Sequence, residues 1–127
     1  MRGILLDTHA WAWSLLGDPL LSDRARAAIA EAQTVFVSPI SFFEIAQKVR
    51  IGKWPQMAPF VDRLPQLLRD QGGSIAALTA EIASSAGATK WVHRDPFDRF
   101  VAASAMHYGL PLVSADVVFD GLLARIW

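Results

Sequence analysis

Four acidic residues stand where carboxylates can do chemistry. Asp7 follows Gly3-Ile4-Leu5-Leu6, Glu44 follows Ser41-Phe42-Phe43, Asp98 closes Asp95-Pro96-Phe97-Asp98, and Asp116 follows Leu112-Val113-Ser114-Ala115. Each comes just after a short apolar run or inside the first turn of a predicted helix. In a parallel α/β sheet, ligands collect outside the carboxyl ends of the strands, and Asp7 and Asp116 occupy such ends. Crowded carboxylates repel one another unless a proton or a cation lies among them. The four together read as an all-oxygen site for Mg²⁺ or Mn²⁺, and therefore for chemistry on phosphate.

Each acid also has a structural explanation. Asp7 can be an ordinary N-cap after a strand. Glu44 lies three residues after Ser41, a spacing that fits a capping box, although Ser38-Pro39 offers the better helix start. Asp98 falls at a third helical position, where any acid complements the helix dipole, and Asp116 can cap a short helix. Joint placement favours the metal site: the acids come from four separate elements, and only Arg99 is a basic neighbour in sequence. Asp95, directly before Pro96, reads first as an N-cap and second as an accessory ligand, and Arg99 four residues on can pair with it. Thr8 and Ser114 neighbour the acids and suit either an orienting role or local capping.

Other chemistry finds little support. His9 and His107 fall on predicted helices as polar or packing positions, and His93 lies before Asp95 without a visible partner. No Ser-His-Asp arrangement, nucleophilic thiol or glycine-rich phosphate loop is present. There are five tryptophans; Trp11 and Trp13 cannot both point inward from one helix face, so one is a candidate for a partner interface.

The elements that must position the acids follow from local signals. Gly3–Leu6 is a continuous apolar run, as expected of a strand buried on both faces. His9–Leu16 reads as a helix, and Ser22 caps another over Asp23–Ala32. Thr34–Val37 is the second strand. Ser38-Pro39 opens a helix to about Arg50, and Pro59–Gln71 is helical with a kink or restart at Pro65. Ile75–Leu78 reads as a strand, and Thr79 caps a helix to about Ala86. Asp95-Pro96 opens a long helix through Tyr108, closed by Gly109. Leu112–Ser114 is a strand, Val117–Leu123 a short helix and Arg125–Trp127 a last strand. Such alternation implies an α/β fold of three layers, helices covering both faces of a mostly parallel sheet.

The chain has 127 residues, of which 53% are apolar, enough for one domain over residues 1–127 with a real core. Twelve basic and twelve acidic residues leave no net charge. A broad nucleic-acid-wrapping surface is therefore disfavoured, and any such binding must use a local patch or a metal. With no cysteine, disulfides and thiolate metal sites are excluded. No apolar run approaches the roughly 18 residues of a membrane span, so a soluble, cytoplasmic protein with no membrane partner is expected.

On these residues the chain resembles PIN-domain proteins, and within them the VapC-like toxins of bacterial toxin–antitoxin pairs. Leu5-Leu6-Asp7-Thr8-His9 is similar to the start of that family. So is Ser38-Pro39-Ile40-Ser41-Phe42-Phe43-Glu44-Ile45-Ala46, followed by Lys48 and Gly52-Lys53. His93-Arg94-Asp95-Pro96-Phe97-Asp98-Arg99 resembles the most telling stretch of one branch, and Leu112-Val113-Ser114-Ala115-Asp116 its closing acidic motif. The resemblance implies a PIN-like fold and an Mg²⁺- or Mn²⁺-dependent endoribonuclease, with Asp7, Glu44, Asp98 and Asp116 as the catalytic, metal-holding acids. It makes Asp95 an accessory residue, and Ser114 stands where the family commonly has Ser or Thr. It also implies a homodimer and a cognate antitoxin. Arg94, Arg99 and Lys48 are candidates for RNA contact. Two rival functions remain at this point: a metal-dependent phosphohydrolase acting on another phosphate ester, and a non-catalytic PIN-like interaction module.

Overall fold

The computed structural model describes residues 3–127. Five parallel strands form one sheet: β1 (Gly3–Leu6), β2 (Thr34–Val37), β3 (Ser74–Ile75), β4 (Leu112–Val113) and β5 (Arg125–Ile126), in the order β3-β2-β1-β4-β5. The chain winds outward from β1 through β2 to β3, then returns to the other side of β1 for β4 and β5. Register is set by Leu5 opposite Phe36 on one side and opposite Leu112 on the other. The winding direction reverses between β1 and β4, and a crevice opens there at the strand carboxyl ends.

Alternation along β1 explains the layers. Ile4 and Leu6 face one side with Val37, Val113 and Ile126. They pack against α1 (Thr8–Leu16), α2 (Asp23–Glu31) and α4 (Leu64–Asp70) through Trp11, Ala25 and Leu68. Leu5 faces the other side with Leu112 and meets Val101, Ala102 and Ala105 of α6 (Pro96–Tyr108). Successive side chains of a strand point to opposite faces, so a short apolar run serves two cores at once. Outside α6 lies α5 (Ala80–Ala88), joined to it by Ile82, Ala86 and Ala103. The sheet is thus sandwiched between helices. Ile4, Leu5 and Leu6 are at most 1% exposed, each burial contributing roughly 1.5–3 kcal/mol.

Cap chemistry fixes the helices that carry the site. Ser38 accepts the Ile40 N–H at 3.2 Å and Pro39 occupies the first turn of α3 (Pro39–Arg50). The capping box at Ser41 is therefore not used: Ser41 is buried within the helix, one turn in. Asp95 accepts the Phe97 N–H at 3.1 Å and Pro96 starts α6. Gly109, at φ +63°, ends it in the left-handed conformation that glycine tolerates.

Several boundaries differ from expectation. The helix anticipated over Pro59–Gln71 is a 3₁₀ segment, Pro55–Arg63, followed by α4, because Pro65 sits in α4's first turn and restarts the helix. Val117–Leu123 shrinks to a 3₁₀ turn over Val117–Phe119. The third strand is only Ser74–Ile75, and its outer position leaves both residues exposed. No helix among the described residues is long and apolar enough to cross a membrane.

Candidate active site

Asp7 is the first residue beyond β1. Its amide donates to the Val113 carbonyl at 3.1 Å, which ties it to β4. Its Oδ1 accepts the Ala10 N–H at 2.8 Å, capping α1. Just beyond the neighbouring strand β4, Ser114 is fully buried, and its Oγ accepts the Asp116 N–H at 3.0 Å. Asp116 then caps the 3₁₀ turn through Val118 N–H at 3.0 Å. Glu44 projects from α3 and Asp98 from the first turn of α6. All four acids line one cleft of about 430 Å³, together with Thr8, His9, Trp13, Lys48, Asp95 and Ala115. A wider concavity of about 720 Å³ beside α1 and α2 has Asp23 as its one acid.

Two of the carboxyls are strained electrostatically. Burial pushes Asp7 up to about 6, and the charges of Asp98 and Glu44 push the same way, against the Ser114 hydroxyl and Ala10 amide. Asp98 is likewise raised to about 6, chiefly by burial and then by the Asp95 charge, while His93 acts in opposition. Crowded, desolvated carboxylates with raised proton affinity are what a hard cation relieves.

The two other acids are differently placed. Glu44 is 6% exposed and its Oε2 receives Lys48 Nζ at 2.5 Å, an i,i+4 pair along α3. That contradicts the expectation of a cluster without basic neighbours, and it engages Lys48 within the cleft. Asp116 is exposed and keeps its second oxygen free of any protein donor among the described residues.

Several other expectations change with the geometry. Thr8 is buried, and its hydroxyl pairs with Ser41 Oγ at 2.9 Å. It thereby fastens the start of α1 to α3 and holds Asp7 beside Glu44, while remaining among the residues that line the cleft. His93 does have a partner: Nε2 lies 2.6 Å from Asp98 Oδ2. With Asp95 it completes the one trio among the described residues whose potential ligand atoms all fall within 4.8 Å of one another. Asp7, Glu44 and Asp116 share the cleft with Asp98 but belong to no such compact trio.

Arg99 is outside the residues lining the cleft, and its guanidinium is held by backbone carbonyls, not by the Asp95 side chain. Its Nε donates to the Ala86 carbonyl at 2.8 Å. Its Nη groups donate to Trp91 and His93 at 3.0 and 2.8 Å and to Thr89 at 2.5 Å. The planar fork of five donors matches carbonyls converging from one loop, as an ammonium would not. Arg99 therefore clamps the segment from α5 to His93 onto α6. Arg99→Lys is expected to lower stability by about 2–3 kcal/mol, since several carbonyls lose charge-assisted partners; urea denaturation measures this, and a loss below 0.5 kcal/mol would refute the clamp. Arg94 is exposed and outside the residues lining the cleft.

The PIN domain family matches this chain over residues 4–122. The chain belongs to the PIN-domain family. It is similar to Ribonuclease VapC22 of Mycobacterium tuberculosis, with 31% identity over 121 residues, covering 91% of this PIN domain and 88% of that protein. Among solved structures, a toxin-antitoxin complex from Klebsiella pneumoniae aligns with a TM-score of 0.70 at 20% identity, over 98% of this PIN domain and 96% of that chain. VapBC2 from Rickettsia felis, bound to a promoter DNA fragment, aligns at 0.69 and 15% identity, over 98% and 97%. FitAcB from Neisseria gonorrhoeae aligns at 0.64 and 21%, over 96% and 95%. At such identities the structural likenesses establish the fold.

Two cleft residues of this PIN domain escaped the reading by residue type. His9 and Trp13, one helical turn apart on α1, line the cleft beside the acids. Their i,i+4 spacing immediately after Asp7 was the available signal. Trp11, by contrast, is wholly buried, its Nε1 donating to Gln71 Oε1 at 2.9 Å.

Proposed function

We propose that this PIN domain is a divalent-metal-dependent endoribonuclease and the toxin of a toxin–antitoxin pair. The observation that carries the reading is the cleft itself: Asp7, Glu44, Asp98 and Asp116, from four elements of a PIN fold, line one cavity. The curated relative named as a ribonuclease supports RNA as substrate, and the Klebsiella pneumoniae neighbour named as a toxin-antitoxin complex supports a cognate antitoxin. The remaining proposed properties are a homodimer, residues 1–127 acting as a single domain, and the cytoplasm as its place of action.

The donor set fits Mg²⁺ or Mn²⁺: Asp7, Glu44, Asp98 and Asp116 offer carboxylate oxygens, and the nearby nitrogen, His93 Nε2, is paired with Asp98 Oδ2. Asp7 and Asp98 would hold the cation directly; Glu44 and Asp116 would bind it directly or through water, with Asp95 accessory. When bound, such an ion lowers the pKa of water and neutralises charge on the scissile phosphate. The chain's own residues supply placement. Asp7 is fixed by the Ala10 and Val113 backbone, Glu44 by Lys48 and Asp98 by His93. Ser114 holds the turn that presents Asp116. In-line attack by water at the phosphorus breaks the P–O3′ bond and leaves a 5′-phosphate and a 3′-hydroxyl.

The test is a cleavage assay on structured RNA with Mn²⁺, Mg²⁺ or EDTA. Cleavage with either ion, its loss in EDTA and 5′-phosphate ends are expected. Cleavage that persists in EDTA would sink the metal mechanism. Release of phosphate from small esters, with RNA intact, would transfer the activity to the phosphohydrolase reading. Co-expression with neighbouring genes should co-purify a small partner that suppresses cleavage.

A further inference from the structure

The acid cleft has an aromatic wall that metal chemistry does not require. His9 is exposed, and its ring lies on Trp54 with centroids 4.8 Å apart and 29° between planes. It also meets Trp13 at 5.6 Å, and Trp13 in turn meets Trp127 at 5.7 Å. The three tryptophans are half-buried against the core of α1, α3 and the sheet. The wall is therefore firm from behind, while the imidazole faces solvent. Lys48 Nζ lies 5.7 Å from the Trp54 ring centroid, placing a cation where wall and carboxylates meet. Core packing accounts for the buried Trp11; it does not call for an exposed imidazole held nearly flat on an indole beside four acids.

We propose that this wall is a nucleobase subsite, in which an unpaired base next to the cleaved phosphate stacks on His9, backed by Trp54 and Trp13. The inference rests on the ribonuclease reading and deepens it. A π-face beside a cation is the pairing that single-stranded nucleic acids select, and it tolerates any base. Bases within an A-form duplex are stacked on one another and unavailable. The substrate class is accordingly RNA with at least one splayed base: a loop, bulge or single strand.

The experiment compares wild type with His9→Ala and His9→Tyr, in Mn²⁺, on a single-stranded RNA and on copies carrying one abasic position moved along the chain. His9 is exposed, so both variants should fold, with circular dichroism as the control. The expected result is a KM raised about five- to fifty-fold by His9→Ala on intact RNA, with kcat changed less. Tyrosine should restore the wild-type value. One abasic position should raise KM for wild type and leave His9→Ala unaffected. Equal KM for wild type and His9→Ala, equal cleavage of every abasic copy, or duplex RNA cut as readily as single strands would each overturn the subsite.

Failure of the nuclease reading looks different: wild type cuts no RNA with either ion. Binding by fluorescence anisotropy in an Asp7→Asn background then decides the subsite alone. Weaker binding of the abasic copy, abolished by adding His9→Ala, supports it; equal binding of intact and abasic RNA overturns it.

Discussion

Asp7→Asn is expected to abolish RNA cleavage and, in EDTA at pH 8, to make the protein more stable. Asparagine caps a helix about as well as aspartate, so the bond to Ala10 survives. What disappears is a desolvated charge. Asp7 holds its proton to about pH 6 when folded, against 3.8 as the ordinary value. The folded state therefore binds more protons than the unfolded chain between these values. Stability of the metal-free wild type falls as pH rises through that window and stays lower above it. A difference of about two pKa units corresponds to roughly 3 kcal/mol. The advantage of Asp7→Asn should thus be absent below pH 4 and complete above pH 7. For a chain of this size that is on the order of 10 °C in Tm. Saturating Mn²⁺ should reverse the order, because only wild type gains binding energy. An Asp7→Asn protein less stable than wild type at pH 8 in EDTA would mean that the carboxylate serves as a cap and nothing more.

The second large effect concerns acid sensitivity of metal loading. Asp7 and Asp98 both titrate near 6 in the metal-free protein, and both must be ionised to hold a cation directly. Between pH 7 and pH 5 each ionised fraction falls about tenfold. Apparent Mn²⁺ affinity is therefore expected to drop on the order of 100-fold, with a limiting slope approaching two protons per ion. Isothermal titration across pH measures it, and proton release in buffers of different ionisation enthalpy counts the protons. A slope near zero would remove both residues from the ligand set.

Much of the frame was written locally. Ser22, Ser38-Pro39, Thr79 and Asp95-Pro96 announce helix starts by chemistry that acts within three residues, and each caps as expected. Asp7, Asp98 and Asp116 were readable because they stand at element ends, whereas Glu44 sits in the middle of α3. Relations across space were not. The His93–Asp98 contact spans an N-cap at a spacing that no regular helix brings together, so His93 looked solitary. The carbonyls that hold Arg99 converge only through the path of the loop after α5. Lys48 stood four residues from Glu44, a legible helical pair that went unread. The 3₁₀ segment was obscured because three prolines between residues 55 and 65 interrupt an otherwise helical spacing.

The place of β1 at the middle of the sheet bears on when such a site can form during synthesis. Leu5 pairs with Leu112, at the far end of the described chain, and Asp7 leans on Val113. A growing polypeptide that has not yet made β4 has neither the crevice nor Asp116. The acid cleft is thus complete only once residues at opposite ends of the described chain have met, and contacts this distant in sequence close slowly.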